Sequence, residues 1–513
     1  MFTAHKNIPF SNAKDFFSKI REKGKKIVQC HGTFDLLHPG HIVHFEEAKA
    51  LGDVLVVTIT GQEYVNKGPG RPYFNDALRV KYLASLEYVD YVVVVPYSAA
   101  AEAIECIHPH VYCKGKEYEN PDIDVTGNIY DDIKTVNRLG GEVRYVGSIV
   151  FSSTKLLNRH FEVHPPKMKE FCAHLAKKYT PNKFRDIVES FKKLKVLIIG
   201  DIIFDRYSTV KVQGLTSKNR IISTKFINED TQAGGALAVF RHVKQFTPKV
   251  KIISLSGTEP WIDSNLAKYI SPSEDGIIRS PGFTTIVKQR FVEPLNEGKE
   301  LSKLFSLNVI DEQRLPKELE KIIYNLVKSC IKDFDLVMVM DFGHGLLQNN
   351  LRELIQEKAK FLALNCQTNS YNHGFNIIDR QYYKADSFSL DETEITLACG
   401  KRDIDFAEEL KKMQEKLESE YAWLTRGATD TIGIRKGEPQ CDCVSFEKSV
   451  VDTVGAGDAF CSLASLAAVK KLPIELATFM GQLAGAQAVR IIGNAESVQK
   501  NRFLKGGMSL LNF

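Results

Sequence analysis

Short apolar segments alternate with amphipathic helical stretches over two long parts of this 513-residue chain. Such alternation requires parallel strands with helices on both faces, and right-handed crossovers then give a doubly wound sheet. The sequence therefore predicts an α/β protein with two doubly wound domains. The clearest predicted strands are Lys26–Cys30, Val54–Thr60, Tyr91–Val95, Val111–Cys113 and Val143–Val146 in the first part, and Val196–Ile199, Leu336–Met340, Phe361–Leu364 and Ala422–Thr425 in the second.

The domain boundaries are predicted where this alternation stops. We expect a first domain over residues 25–158 and a second over residues 195–505. Pro165-Pro166 and two charged amphipathic segments predict a helical connector over residues 159–194. Between Tyr207 and Thr231, and near Thr284–Phe291, stricter alternation predicts a small antiparallel β flap beside the second sheet.

Composition limits the class of protein and of partner. The net charge of +5 comes from 68 basic and 63 acidic residues, which is too weak an excess to indicate a nucleic-acid or membrane partner. The ten cysteines are scattered and favour a reducing compartment. No signal-peptide pattern and no apolar stretch of about 20 residues occurs in the sequence. We therefore expect a cytoplasmic enzyme.

The first chemical motif is GTFDLLHPGH, from Gly32 to His41, directly after an apolar strand. A glycine turn that leads into a helix directs backbone N–H groups and the helix dipole at an anion. His38 and His41 can donate hydrogen bonds to an α-phosphate as negative charge builds in the transition state. The motif therefore predicts a phosphate site with two catalytic histidines.

Further motifs are NKG at residues 66–68 with GRP at 70–72, LASLEYVDYV at 83–92, HPHVYCKG at 108–115 and SSTKLL at 152–157. With these, residues 26–157 resemble the cytidylyltransferase-like superfamily, and more narrowly the adenylyltransferase half of the bifunctional enzymes that make ADP-heptose. The resemblance implies a triphosphate-binding set of Gly32, Thr33, Phe34, Lys67, Arg71, Lys114, Ser153 and Thr154. Lys116 stands where the heptose enzymes have glycine, so the product stays open, as does ATP or CTP as substrate.

The second chemical motif is DTVGAGDAF, from Asp452 to Phe460. Its Gly455-Ala456-Gly457 turn leads into a helix and can aim consecutive amides at a transferring phosphoryl group. Asp458 then lies at the helix start, where it can act as general base on an acceptor hydroxyl. A helix-capping role for Asp458 is the alternative.

This region, over about residues 195–502, resembles the ribokinase-like sugar kinases of the phosphofructokinase-B type. The resemblance rests on that motif, on GDIIFDRY at 200–207, AGGA at 233–236, TTIVKQRF at 284–291 and DFGHG at 341–345. It implies ATP and Mg²⁺ as cofactors, with Glu392 in the metal–water shell. It also implies a sugar-binding set of Asp201, Asp205, Gly234, Gly235, Lys288 and Asp341.

Several positions of the second region depart from the kinase pattern. They are Leu237-Ala238 in place of Ala-Asn, Asn365-Cys366-Gln367 in place of Asp-Pro-Lys, Ser389 in place of Asn, and Asp430 in place of Gly. Either the sugar is not a heptose 7-phosphate, or the kinase is weakened while its anion hole survives. The intact Gly455–Asp458 segment and Glu392 favour an active kinase with a changed substrate.

The order of the two regions is the reverse of that in the ADP-heptose enzymes. We expect successive reactions in which the kinase makes a sugar 1-phosphate and the transferase joins it to a nucleotide, releasing pyrophosphate. The expected partners are sugar phosphates, nucleoside triphosphates and copies of the chain in a homodimer or higher homo-oligomer. Two alternatives stay open: a regulatory or scaffolding kinase-like domain beside one active transferase, and a transferase that makes a CDP-alditol.

Overall fold

The computed structural model describes residues 4–119, 128–148, 153–161, 164–294, 301–310, 315–369, 372–447 and 449–513. It divides the chain into two compact units. The first unit comprises Met1–Asn182 together with Leu504–Phe513, and the second comprises Lys183–Phe503. The predicted domain boundaries stay a proposal, since these units divide the chain at other residues.

The first unit contains one parallel sheet. Its strands are β1 (Ile27–Gly32), β2 (Val54–Thr60), β3 (Tyr91–Val95), β4 (Val111–Gly115) and β5 (Glu142–Val146), in the order β3-β2-β1-β4-β5. Its helices are α1 (Phe10–Glu22), α2 (Pro39–Lys49), α3 (Asp76–Ala84), α4 (Ala101–Ile107), α5 (Asn128–Arg138), α6 (Ser153–His160) and α7 (Pro166–Lys178).

The strand order positions a site at the carboxyl end of β1. From β1 the chain continues to β2 on one side, whereas β4 pairs on the other side. In open parallel sheets, ligands bind in the crevice where the connections diverge in this way. Strands β1 and β2 are buried on both faces: Val28 and Leu55 pack into one apolar cluster, and Ile27 and Val56 pack into another on the opposite face. Helices therefore cover this part of the sheet and leave its carboxyl edge for polar residues.

The second unit is built on a nine-stranded sheet. Its strands are β6 (Val196–Gly200), β9 (Val250–Ser256), β10 (Asp275–Arg279), β13 (Leu336–Asp341), β14 (Leu362–Cys366), β15 (Ser387–Asp391), β16 (Tyr421–Thr425), β17 (Asp430–Arg435) and β18 (Cys441–Val444). The order is β10-β9-β6-β13-β14-β15-β16-β17-β18. Pairing is parallel from β10 to β16 and antiparallel from β16 to β18.

The flap of the second unit is a four-stranded sheet of β7 (Ile202–Leu215), β8 (Ile222–Gly235), β11 (Ile286–Pro294) and β12 (Leu301–Val309), in the order β12-β11-β7-β8. The predicted antiparallel pairing is confirmed for β7 with β8 and for β11 with β12. It is wrong for β11 with β7, which run parallel because a long crossover separates them.

The remaining helices are α8 (Pro181–Ser190), α9 (Ala236–Lys244), α10 (Ile262–Leu266), α11 (Lys317–Cys330), α12 (Asn349–Lys358), α13 (Ile378–Gln381), α14 (Glu392–Cys399), α15 (Phe406–Lys416), α16 (Ala456–Val469), α17 (Ile474–Ala488) and α18 (Lys500–Leu510). Helices α7 and α8 both lie in the region predicted as a helical connector. Among the described residues, none of the helices has the length and apolar character needed to cross a membrane.

Candidate active sites

The first site is a cavity at the start of helix α2. His38 is the N-cap residue in extended conformation, Pro39 opens the helix, and no side chain caps it. The first backbone N–H groups of a helix have no partner within it and favour an anion. The cavity is lined by eight residues of the predicted set, namely Gly32, Thr33, Phe34, His38, His41, Lys67, Lys114 and Ser153.

The two predicted catalytic histidines lie against each other. The imidazoles of His38 and His41 stack with ring centroids 3.7 Å apart and planes 13° from parallel. Burial lowers the pKa of His41 to about 3, with smaller contributions from His38, His44 and Lys67, and burial also lowers the pKa of His38. Both rings are therefore neutral near pH 7, and a neutral imidazole still has one N–H to donate.

The turn before these histidines is held by helix α3. Arg79, which is fully buried, donates from its guanidinium to the carbonyl oxygens of Thr33 at 2.8 Å and Thr60 at 2.9 Å. The Tyr82 hydroxyl donates to the carbonyl oxygens of Phe34 and Asp35. Phe34 has a φ of 44°, a left-handed conformation that is strained for an aromatic residue. These contacts hold the strained turn, and neither Arg79 nor Tyr82 belongs to a motif found in the sequence.

Arg71, predicted to contact triphosphate, lies behind the cavity and does not line it. Its Nε lies 2.8 Å from Asp35 Oδ2, and both side chains are buried. Asp35 also accepts the backbone N–H groups of Tyr73 and Phe74, each at 2.9 Å. Arg71 therefore joins its loop to the GTFD turn in this structure. Thr154 does not line the cavity either, and Ser152 of the SSTKLL motif lies outside the described residues.

Two lysines give the cavity its positive charge. Burial lowers the pKa of Lys67 to about 8, and the charges of Arg71 and Lys505 act in the same direction. Lys114 Nζ lies 3.1 Å from the buried carboxylate of Asp132, which also accepts from the Tyr112 hydroxyl at 2.9 Å. Both ammonium groups can bind a polyphosphate, and Asp132 fixes the position of one of them.

The second site lies at the start of helix α16. Gly455 is the N-cap with a φ of +82°, and a Cβ there would lie 2.2 Å from Asn494 Oδ1. Two adjacent cavities meet at this turn and share Asp391, Thr425 and Gly457 as lining residues. Ala456 lines one cavity, whereas Gly455 and Asp458 line the other. We call the cavity with Ala456 the nucleotide side and the cavity with Asp458 the acceptor side, after the roles that the sequence predicts for this turn.

Three residues that depart from the kinase pattern form one hydrogen-bonded network that ends at Asp458. Gln367 Nε2 donates to Asp458 Oδ1 at 3.0 Å and to Asn365 Oδ1 at 2.6 Å. Asn365 Nδ2 in turn donates to Ser389 Oγ at 3.2 Å. Burial raises the pKa of Asp458 to about 7, Gln367 opposes that rise, and Asp205 adds to it. A carboxylate near neutrality and aimed into a cavity suits a general base.

Two of the predicted sugar-binding residues, Asp205 and Lys288, act on that carboxylate through their charges. The charges of Asp205, Asp458 and Asp201 all act on Lys288, whose pKa burial lowers overall. Asp205 forms an ion pair with Arg290 and accepts from Asn494 Nδ2 at 3.3 Å. A Cβ on Gly234 would lie 2.2 Å from Asp205 Oδ2, and a Cβ on Gly235 would lie 2.5 Å from the Asp201 carbonyl oxygen. These glycines let the flap strand approach both aspartates.

Burial, with the nearby charge of Asp341, raises the pKa of Asp201 to about 7. Asp341 does not line either cavity, and neither do the other five residues of the predicted sugar-binding set. The Asp341 carboxylate accepts from Arg352 Nη2 at 3.0 Å and from the Tyr382 hydroxyl at 2.6 Å. The structure therefore gives Asp341 a buried set of protein partners.

Glu392, the predicted metal-shell residue, is exposed and lines the nucleotide side with Gly457. Over the described part of the chain, no group of three or more His, Cys, Asp or Glu residues is arranged to hold a metal ion. A lone carboxylate still fits Mg²⁺, which keeps most of its waters and binds substrate phosphates. Glu394, two residues on, is buried and lines the acceptor side, and burial raises its pKa to about 8.

Comparison with known proteins assigns both regions. A family model described as cytidylyltransferase-like matches residues 30–259, and one described as pfkB family carbohydrate kinase matches residues 312–501. The first match runs past the first unit, although strands β6 to β9 belong to the second unit's sheets. The two matches confirm the expected order, with the transferase-like region first.

The first region is similar to proteins named bifunctional protein HldE. That of Aliarcobacter butzleri is 41% identical over 135 residues, which is 26% of this chain and 28% of the relative. That of Methylococcus capsulatus is 39% identical over 149 residues, or 29% of this chain and 30% of the relative. The chain thus spans under a third of the length of the curated relatives it matches.

Solved structures with similarity to the second unit include Thermotoga maritima ribokinase, 17% identical, covering 61% of this chain and 99% of that chain at a TM-score of 0.46. Escherichia coli phosphofructokinase-2 is 11% identical, covering 60% of this chain and 97% of that chain at a TM-score of 0.48. The kinase assignment rests on the pfkB match and not on these two likenesses. Residues 30–259 thus match the cytidylyltransferase-like model, and residues 312–501 match the model of the pfkB family carbohydrate kinases.

Proposed function

We propose that this protein makes a nucleotide-activated sugar in two successive reactions. The kinase site phosphorylates a sugar or sugar phosphate with ATP, and the transferase site joins the resulting sugar 1-phosphate to a nucleotide from ATP or CTP. The observation that carries the proposal is the stacked pair His38 and His41 at the uncapped start of α2, in a cavity lined by Lys67 and Lys114.

In the transferase reaction, a phosphate oxygen of the sugar 1-phosphate attacks the α-phosphorus of the triphosphate. The bond from the α-phosphorus to the bridging oxygen breaks, and pyrophosphate leaves. The two imidazoles donate to the α-phosphate oxygens, and the nearby negative charge favours their protonated forms. The two lysines hold the β- and γ-phosphates that become pyrophosphate.

In the kinase reaction, Asp458 takes the proton of the acceptor hydroxyl, whose oxygen attacks the γ-phosphorus of ATP. The bond from the γ-phosphorus to the β–γ bridging oxygen breaks, and ADP leaves. The amides of the Gly455–Gly457 turn stabilise the transferring phosphoryl group. Glu392 would hold Mg²⁺ through water, and the ion supplies charge neutralisation when bound. An active kinase is favoured because Asn365, Gln367 and Ser389 together support Asp458. We therefore propose that the positions that depart from the kinase pattern reflect a different sugar substrate.

The test is a screen of ATP and CTP against sugar 1-phosphates and alditol phosphates, with pyrophosphate release as the readout. We expect release with one sugar 1-phosphate, and ATP-dependent phosphorylation of the matching sugar. Release with an alditol phosphate only, and no kinase activity, would instead support the CDP-alditol alternative.

We also propose a cytoplasmic homo-oligomer, with the flap as the contact between copies. Eight large apolar side chains on the flap strands or their connecting turn are exposed to solvent by 39% or more: Leu215, Ile221, Ile222, Phe226, Ile227, Phe305, Leu307 and Val309. Such patches mark association surfaces. Light scattering on Phe226→Asp tests this, since the variant should run at a lower mass than the wild type.

A further inference from the structure

The last ten residues of the chain belong to the transferase unit, although they follow the kinase-like region in sequence. Leu504–Phe513 groups with Met1–Asn182. Within this unit, Asn158 Nδ2 donates to the carbonyl oxygens of Ser509 at 2.7 Å and Asn512 at 3.1 Å. The C-terminal segment is therefore fixed to the same unit as the cavity at α2.

A close backbone approach joins this segment to the loop that carries Lys67. Gly68 has a φ of +92°, and a Cβ there would lie 2.9 Å from the Cα of Gly506. A side chain at Gly68 would therefore push the two backbones apart. Lys505 directly precedes Gly506, and Lys67 directly precedes Gly68. This contact between the two glycines therefore brings the two lysines into the same region.

Lys505 lines the cavity that also contains both catalytic histidines, and its side chain is half-buried. Its charge lowers the pKa of Lys67, after larger effects of burial and Arg71, and lowers that of His31, after burial and Lys114. Among the described residues lining the cavity, Asp132 is the carboxylate, and it is paired with Lys114 at 3.1 Å. Like charges gathered in a half-buried cavity are unfavourable until an anion balances them.

We propose that Lys505 is a substrate-binding residue of the nucleotidyl-transfer site, where its ammonium group holds a phosphate of the triphosphate together with Lys67. The proposal rests on the function proposed above. Lys505 lies outside residues 30–259, which the cytidylyltransferase-like match covers. The proposal therefore adds a phosphate-binding residue from a distant part of the sequence. A transferase region cut off before Leu504 would lack one of its phosphate contacts.

The kinetic test compares Lys505→Gln with Arg502→Gln, a change on the same helix at an exposed residue that pairs with Glu496. We expect Lys505→Gln to raise the KM for the triphosphate of the transferase by about 10- to 100-fold, as for the loss of a charged hydrogen bond. The change in kcat should be smaller, since the contact exists before and during reaction. Arg502→Gln should match the wild type, and Lys505→Arg should recover most of the affinity. An unchanged KM in Lys505→Gln would overturn the proposal.

A second measurement does not depend on turnover. Lysine acetylation of the full chain is followed by peptide mass spectrometry with and without inorganic tripolyphosphate, with the exposed Lys470 as internal control. We expect protection of both Lys505 and Lys67. Protection of Lys67 alone would overturn the role of Lys505 and leave the transferase site in place. Protection of neither, together with no pyrophosphate release from any acceptor, would overturn the proposed function itself.

Discussion

Single residues control proton positions differently in the two sites. In the transferase cavity burial keeps His41 neutral, so its pKa must rise before it can act as a cation. In the kinase cleft burial brings Asp458 to a pKa of about 7, while the amide of Gln367 favours its charged form. Under the proposed function, the transferase would depend on the arriving phosphate to charge its imidazoles, whereas the kinase would have a base whose pKa is already near neutral pH.

We expect His41→Ala to lower pyrophosphate release by about 10²- to 10³-fold, because an electrostatic donor to the α-phosphate is lost. Sugar-dependent ATP hydrolysis by the same protein should not change, since the two units have separate cores. The measurement is a parallel assay of both activities. Equal loss of both would contradict the assignment of two sites.

We expect Asp458→Asn to lower phosphoryl transfer by about 10²- to 10⁴-fold with little change in ATP binding. The glycine turn that holds phosphate is unaltered, and the variant should convert supplied sugar 1-phosphate at the wild-type rate. The structure makes Gly455 the N-cap and places Asp458 in the first turn of α16, so the helix-capping role considered for Asp458 is wrong. If Asp458 were only structural in that turn, asparagine would replace it and the kinase rate would hardly change.

The pH dependence of the kinase tests the role of Gln367. Asp458 must be deprotonated to accept a proton, so wild-type kcat/KM should fall as the pH drops below about 7. Gln367→Met removes a donor to the charged form, which raises the pKa of Asp458 and should move this acidic limb to higher pH. Above that limb the variant and wild-type rates should converge. If the acidic limb of the kcat/KM profile lies at the same pH in the variant and the wild type, Gln367 has only a structural role.

Among the secondary-structure elements, strands were the easiest to predict. Val54–Thr60 and Tyr91–Val95 have the predicted bounds because runs of β-branched residues favour strands strongly. Helix ends were harder, since caps set them: Asn75 accepts from the Leu78 N–H at the start of α3, and no motif in the sequence marks this residue. Strand β12 was not predicted at all.

The start of α16 depends on one backbone conformation. Gly455→Ala should lower the stability of the second unit by about 1–2 kcal/mol or more, since an L-residue is strained at φ +82° and its Cβ would meet Asn494. Gly457→Ala is the matched control, because its Cβ has no neighbour within 4 Å. Thermal unfolding of the second unit measures both. Equal melting temperatures would mean that the turn adjusts without cost.

At the scale of the whole molecule, the motifs predicted both folds and the cores of both sites but not the contacts between distant segments. Arg71 was expected at the triphosphate, yet it pairs with Asp35, and no spacing rule signals that partner. The same holds for the Asn494 contact to Asp205 and for Lys505 in the transferase cavity. No sequence motif marks these residues, because their partners lie far away in the sequence and meet them only in the folded chain.

Mixing two inactive variants should restore the whole pathway. His41→Ala keeps the kinase and Asp458→Asn keeps the transferase, so together they should convert sugar and triphosphates to nucleotide sugar. The expected rate depends on protein concentration, because the sugar 1-phosphate must diffuse between molecules. Mass spectrometry of the product provides the measurement. No product from the mixture would mean that the intermediate does not leave the chain on which it forms.

The return of Leu504–Phe513 to the transferase unit has a consequence for synthesis on the ribosome. Domains usually fold as they emerge, with the N-terminal one first. Here most of the first unit emerges early, but it lacks Leu504–Phe513 until the whole second unit has been made. The unit that begins to emerge first is therefore completed only after the intervening unit has had time to fold.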